Sequence, residues 1–236
     1  STAVGASALL LSTGDSNTAV GAFALDKNGV GASNTAVGVN ALEANMSGNN
    51  NVALGRNALL LNTVASNNTA LGEGALQNNT VGPNTAVGQA ALQGNTTGIT
   101  NTAVGASALK ANTTSNGNTA VGASALQNNV AGAANTALGV FALVTNTSGS
   151  NNVALGLNAL YLNTGDGNTA VGNDVLHNNT GSSNIAIGNG AGFNATSGSN
   201  NIYVGNAGVA AEGSTLRIGA SLSRAFINGI RGTITG

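Results

Sequence analysis

The sequence predicts an all-β parallel solenoid of about 13 coils, each 16–17 residues long, and three observations carry that prediction. Variants of Asn-Thr-Ala-Val-Gly recur thirteen times, with their glycines spaced 16 or 17 residues apart from Gly5 to Gly205. Such self-similarity is typical of proteins in which each unit stacks on the last. Gly and Asn recur too often for a helix of twelve residues to persist. The chain is also 42% apolar, so it has enough apolar surface to fold.

The first element of each coil is a short strand, for which Thr18-Ala19-Val20 serves as the example. Because side chains alternate along a strand, Thr18 and Val20 share a face opposite Ala19. The third position is Val, Leu or Ile in all thirteen copies, and Thr gives way at the first position to Val52, Val153, Ile185 and Ile202. We therefore predict that the Thr and Val rows face the core of the coil.

The second element is an Ala-Leu step that follows the glycine in ten copies, as in Ala24-Leu25, with Val175-Leu176 as an eleventh. We expect it to form a second short strand whose leucines lie across the core from the first. One Asn row opens each motif, and another follows the leucines three residues later. Asn tolerates turn conformations, and its amide can bind the backbone or the Asn of the next coil. The coil is therefore predicted to be a flattened roll.

The middle residue of the first strand is Ala in twelve of thirteen copies and changes only at Tyr203. A solvent-exposed row has no reason to exclude Ser, Lys or Glu so consistently. The three or four aliphatic groups of each coil also bury little surface for the residues that they must order. We therefore predict that the Ala rows of several subunits pack about a common axis, through Ala19, Ala36, Ala53, Ala70, Ala86, Ala103, Ala120, Ala137, Ala154, Ala170 and Ala186.

With the strand written as Asn-[Thr/Val/Ile]-Ala-[Val/Leu/Ile]-Gly, the chain resembles the head repeats of trimeric autotransporter adhesins and the shafts of phage tail-fibre-like proteins. The copies at 152–156 and 184–188 are the most similar, and the resemblance covers residues 1–205. It implies a left-handed β-roll, a homotrimer, an extracellular, cell-surface or virion location and a role in adhesion. Residues 206–236 resemble the segment that precedes a self-cleaving chaperone domain in tail-fibre-like proteins.

Residues 206–236 are predicted to be a cap or neck, because the regular pattern ends there. Arg217 stands where the Ala row would continue, and an arginine is too large for that place. Phe226, Ile227 and Ile230 could close the open end of the roll, since the last coil of a solenoid exposes its core. The alternative is a receptor-binding tip.

Chemistry beyond structure and adhesion is not expected. His177 lies three residues after Asp174, but its position holds Gln or Lys in other coils, so we interpret it as a solvated surface residue. No cluster has metal-ligand spacing, the chain has no Cys, and the seven carboxylates are mostly far apart, so we predict no enzyme, no cofactor and no metal site. Apolar residues at variable positions, such as Phe23 and Phe141, are either partly covered by neighbouring turns or contact a partner.

The leading functional hypothesis is an extracellular structural or adhesive segment that contacts a surface receptor of unknown identity. The net charge of −1 gives no reason to expect nucleic acid, and no apolar run predicts insertion into a membrane. The alternative is an ice-binding solenoid, because the chain has a regular Thr row and few charges. The predicted inward orientation of the Thr row and its interruptions by Val and Ile argue against ice binding.

Overall fold

The computed structural model describes residues 1–223 and confirms the parallel β-solenoid. Each coil contributes one strand of three residues, and the strands form a single 14-stranded sheet in chain order. No helix occurs within residues 1–223. The strands are β1 (Thr2–Val4), β2 (Thr18–Val20), β3 (Thr35–Val37), β4 (Val52–Leu54), β5 (Thr69–Leu71), β6 (Thr85–Val87), β7 (Thr102–Val104), β8 (Thr119–Val121), β9 (Thr136–Leu138), β10 (Val153–Leu155), β11 (Thr169–Val171), β12 (Ile185–Ile187), β13 (Ile202–Val204) and β14 (Leu216–Ile218).

The register is constant along the sheet, because residues added to the longer coils fall in the turns. Ala36 pairs with Ala19 on one side and with Ala53 on the other, and the flanking Thr and aliphatic positions pair in the same way. Each row of equivalent residues therefore runs along the solenoid axis at a spacing of about 4.8 Å.

The orientation of the strands is the reverse of the prediction from sequence. Ala19 and its equivalents up to Tyr203 in β13 are completely buried in a single chain, whereas Thr18 is half-buried and Val20 is 37% exposed. The Ala row packs with the Ala-Leu steps in one continuous apolar core. Replacement of Thr by Val at the first strand position thus reflects a preference for β-branched residues in strands rather than burial.

The Ala-Leu step does not form the predicted second strand. It lies in a run of turns, in which the Ala24 N–H donates to the Gly21 carbonyl and the Asn28 N–H to the Leu25 carbonyl. Eleven core leucines, from Leu9 to Leu176, have φ between 48° and 54°, in the left-handed region. Leucine tolerates this conformation better than a β-branched residue, and no Val or Ile occupies the row.

Hydrogen bonds between coils hold the turn side of the solenoid together. The Leu25 N–H donates to the carbonyl of Ala41 in the next coil at 3.1 Å. The conformational cost of the left-handed leucines, about 1–2 kcal/mol each, is offset by these bonds and by complete burial of the leucine side chains.

Both Asn rows form buried ladders, as the sequence predicted. In the row that opens each motif, Oδ1 of Asn17 accepts from the N–H of Asn34, whose Nδ2 donates to the carbonyl of Gly48 at 2.8 Å. In the row after the leucines, Nδ2 of Asn45 donates to Oδ1 of Asn28 and to the same Gly48 carbonyl. The two ladders therefore satisfy most of the polar groups where the chain turns, as a buried backbone requires, with an interruption between Asn62 and Asn79, where Oδ1 of Asn62 has no partner.

The glycine that ends each strand should be intolerant of any side chain. Gly88 has φ of 130°, and a Cβ placed on it would lie 2.6 Å from the carbonyl oxygen of Gly105. We expect Gly88→Ala to lower the free energy of unfolding by about 3 kcal/mol, because strain and overlap act together. Urea denaturation would measure the loss.

Gly117 provides the matched control, because it has φ of 68° with no heavy atom within 4 Å of the added Cβ. Gly117→Ala should cost only about 1 kcal/mol. Equal losses for the two variants would show that overlap with the next coil does not determine the glycine row.

Candidate functional site

A regular surface runs along the outward side of the sheet and is called the strand face here. It consists of the first and third residues of β1–β14: a row that is mainly Thr and a row of Val, Leu or Ile. The aliphatic row is exposed in eight of the fourteen strands, with Val20, Val37 and Leu54 at 37–38%, and half-buried in the other six. The strand face is therefore a long, regular strip of hydroxyl and aliphatic groups.

The strand face becomes wholly aliphatic towards its C-terminal end. Ile185 and Ile187 are 41% and 46% exposed, Ile202 and Val204 are 39% and 38%, and Leu216 of β14 is 61%. Monomeric proteins rarely expose a contiguous apolar patch of this kind without a binding role.

The prediction that the Ala row forms a subunit interface is wrong, because the alanine side chains point into their own coil and not towards the surface. The eleven alanines from Ala19 to Ala186 have no solvent exposure in the isolated chain. Their side chains already contact the core of their own coil, so they have no surface to offer to another subunit. The close approach that the sequence indicated is real, but it occurs within one chain.

Tyr203 interrupts the Ala row for a reason that lies across the core. The leucine row ends at Leu176, and its next position is Gly192. A Cβ on Gly192 would lie 3.0 Å from Cδ2 of Tyr203, so the tyrosine ring occupies the space that a leucine would fill. The change from Ala to Tyr203 in the strand row compensates for the change from Leu to Gly192 in the leucine row, so the core stays filled.

Arg217 follows Tyr203 in register and lies at the C-terminal end of the described core. Its Nη2 pairs with Oε2 of Glu212 at 2.7 Å, and this guanidinium lowers the pKa of the Glu212 carboxyl. Burial raises the pKa of Tyr203 to about 12, and the nearby Glu212 carboxylate adds to that rise. Arg217 lies in β14, so the sheet continues in register through a position at which the sequence predicted that regular stacking would end. The other predicted cap residues, Phe226, Ile227 and Ile230, lie outside the described residues, and the cap stays a prediction.

His177 is not a simple solvated residue. Its ring stacks on Tyr161, with centroids 4.9 Å apart and planes 3° from parallel, and lies 5.6 Å from the ring of Phe193. The Asp174 carboxylate accepts from the side-chain amide of Asn158 at 2.9 Å, while Nδ1 of His177 lies 2.9 Å from Oδ1 of Asn178. The two residues therefore do not form the His-Asp pair that a catalytic triad requires.

No family model, curated protein or solved structure matches the chain.

The apolar residues at variable turn positions differ in exposure, and contact with a partner stays a prediction for the exposed ones. Val144 is covered, at 7% exposure, whereas Phe23 and Phe141 are 45% and 42% exposed. Phe141 extends the stack formed by Tyr161, His177 and Phe193, because its ring lies 6.5 Å from that of Tyr161 in an edge-on arrangement. Tyr161, His177 and Phe193 are 16 residues apart and occupy one row of the repeat, so the sequence carried the signal for their stacking; only Phe141 departs from that row.

Charged side chains are few and mostly paired. Lys27 pairs with Glu43 at 2.9 Å, and Arg56 pairs with Glu73. In the described part of the chain, no three potential metal ligands of the His, Cys, Asp and Glu types cluster together. The same part of the chain has no helix with the length and hydrophobicity needed to cross a bilayer.

Proposed function

We propose that this chain is a structural segment of an extracellular or virion fibre that self-associates through the strand face. The single observation that carries the proposal is an aliphatic row along the sheet that is exposed in β1–β4, β9 and β12–β14 and half-buried in the other strands. A second copy of the same chain is the partner that fits this surface best. Its aliphatic row has the same spacing of about 4.8 Å, so the side chains of the two rows can interdigitate along their whole length.

The resemblance to trimeric adhesins and tail-fibre-like proteins supports a homotrimer about one axis. Three strand faces would then meet at the axis. The two outward aliphatic residues of each of β12, β13 and β14 would be buried there. A rod of stacked coils gives reach and multivalent attachment rather than one deep site, which suits an adhesive role without catalysis.

The solution mass tests this proposal. Light scattering on a sizing column should give three times the chain mass of 22.5 kDa. A monodisperse species of one chain mass, at concentrations up to the millimolar range, would overturn self-association through the strand face.

Ice binding is the second candidate, and the orientation of the Thr row now favours it. Nine of the first thirteen strands begin with Thr, and the structure directs this row outward rather than into the core. An outward array of hydroxyl and methyl groups on a stiff sheet is a surface that could order water in a lattice. Val52, Val153, Ile185 and Ile202 interrupt the array.

The two candidate functions use the same surface, so one assembly state cannot serve both. A trimer that buries the strand face would leave no Thr array for ice. Thermal hysteresis in a solution of monomers would therefore replace the fibre proposal, whereas a trimer without hysteresis would exclude ice binding.

A further inference from the structure

We infer that a polar cleft in the turn side of the solenoid binds an acidic saccharide through Lys110 and the neighbouring amides. The cleft has a volume of about 400 Å³ and lies between residues 78 and 128, away from the strand face along each coil. It is called the amide cleft here, and it is lined by Asn78, Gln93, Gly94, Lys110, Gln127 and Asn128, with Ala111 in its floor.

The amide cleft is built by the register of the coils. Backbone hydrogen bonds join its coils: the Gly94 N–H donates to the Lys110 carbonyl and the Ala111 N–H to the Gln127 carbonyl, each at 2.9 Å. Gln93, Lys110 and Gln127 directly follow the core leucines of successive coils. Gln93, Lys110 and Gln127 therefore follow one another along one side of the cleft.

The floor is open because two successive coils have small residues where the coils on either side have Asn. Gly94 and Ala111 occupy the row that holds Asn78 below and Asn128 above. A Cβ on Gly94 would lie 2.7 Å from the carbonyl oxygen of Lys110, so the backbone of the next coil excludes any side chain at residue 94. The two Asn side chains thus form the ends of the cleft.

Lys110 gives the amide cleft an isolated positive charge. It is the only charged residue between Glu73 and Asp166, and its side chain is exposed. The other basic residues within residues 1–223 each pair with a carboxylate, and all seven carboxylates of the chain lie in that range. None of them pairs with Lys110, so its ammonium group is available to an external anion.

The donor set of the cleft matches a saccharide that carries a carboxylate. Side-chain amides both donate and accept, as the Gln93 Nε2 to Gln77 Oε1 bond of 3.0 Å illustrates, so they can bind pairs of sugar hydroxyls. An ammonium group donates to a carboxylate in a charge-assisted bond. The volume of the cleft is within the range of small-molecule sites. The inference rests on the proposed adhesive function, because it names the ligand class to which the segment would adhere.

Titration with trigalacturonate by isothermal calorimetry tests the inference, with the methyl ester of the same trisaccharide as the uncharged comparison. We expect the wild-type chain to bind the acid, and Lys110→Gln to weaken binding about tenfold. Gln is already present at this position in the coils on either side, as Gln93 and Gln127, so the variant should fold. Lys27→Gln is the control for loss of one positive charge outside the cleft, at an exposed lysine that pairs with Glu43.

A second variant tests the shape of the cleft rather than its charge. Ala111→Asn places in the floor the residue that the same row holds at Asn78 and Asn128, and it should abolish binding while the chain remains folded. Equal affinities for acid and ester, no binding by the wild-type chain, or full binding by Lys110→Gln would each overturn the inference. The light-scattering mass, measured on the same samples, reports separately on self-association, so failure of one proposal is distinguishable from failure of the other.

Discussion

Ala36→Arg should prevent the chain from folding, although the sequence pattern placed this alanine at a subunit surface. Ala36 is completely buried and pairs in register with Ala19 and Ala53. An arginine side chain has no path to water from this place, and an unpaired buried charge costs several kcal/mol in addition to the steric overlap. That cost is comparable with the whole stability of a typical domain. Circular dichroism and the yield of soluble protein would measure the effect.

Val37→Arg is the matched variant, one residue along the same strand. Val37 lies on the strand face with 38% exposure, so the added charge stays in water and the fold should persist. If the proposed trimer forms through the strand face, this variant should run as a single chain of 22.5 kDa. A folded Ala36→Arg variant that merely dissociates would restore the alanines to the interface and contradict the orientation described here.

The repeat period was sufficient to predict the coil, the parallel sheet and the two Asn ladders. The period was read directly from the glycines, and Asn rows at fixed offsets have few roles other than turn ladders. The orientation could not be obtained in the same way, because the rows of Thr18, Ala19 and Val20 are all consistent with either face of a strand. What decides the orientation is the thickness of the coil: opposite the leucine row there is space only for a methyl group.

The left-handed leucines explain another part of what sequence analysis missed. Ala-Leu looks like a strand or helix fragment, whereas φ of 51° at Leu25 belongs to a turn. The sequence indicates this turn only through the absence of β-branched residues. Eleven coils have Leu at this position and none has Val or Ile, although the third strand position varies among Val, Leu and Ile. The amide cleft was also missed, because the row that holds Gly94 and Ala111 varies widely from coil to coil, from Leu61 to Thr145, so two small residues in succession do not stand out in the sequence.

Asn135→Asp should destabilise the solenoid strongly at neutral pH and less in acid. Asn135 is completely buried; its Oδ1 accepts from the N–H of Asn152 at 2.9 Å, and its Nδ2 donates to the carbonyl of Gly149 at 2.8 Å. Aspartate keeps the acceptor but directs a second acceptor at the Gly149 carbonyl. The loss should be about 3–5 kcal/mol at pH 7, because a donor is lost and a charge is buried without a partner.

The pH dependence of this variant follows from the buried position of the new carboxyl. Burial raises its pKa in the folded state above the value of about 3.9 in the unfolded chain. The destabilisation is therefore greatest above the folded pKa and decreases as pH falls, since the protonated acid can again donate to the Gly149 carbonyl. Urea midpoints at pH 7 and pH 4, each taken relative to wild type, should show partial recovery in acid. Asn189→Asp, at an exposed position, should show little loss at either pH, and Asn135→Ala should show a loss that does not change with pH. If the loss for Asn135→Asp were also independent of pH, the introduced carboxyl would not be buried in the Asn ladder. The Asn rows would then not be the buried hydrogen-bonded ladders on which the stacking of the coils depends.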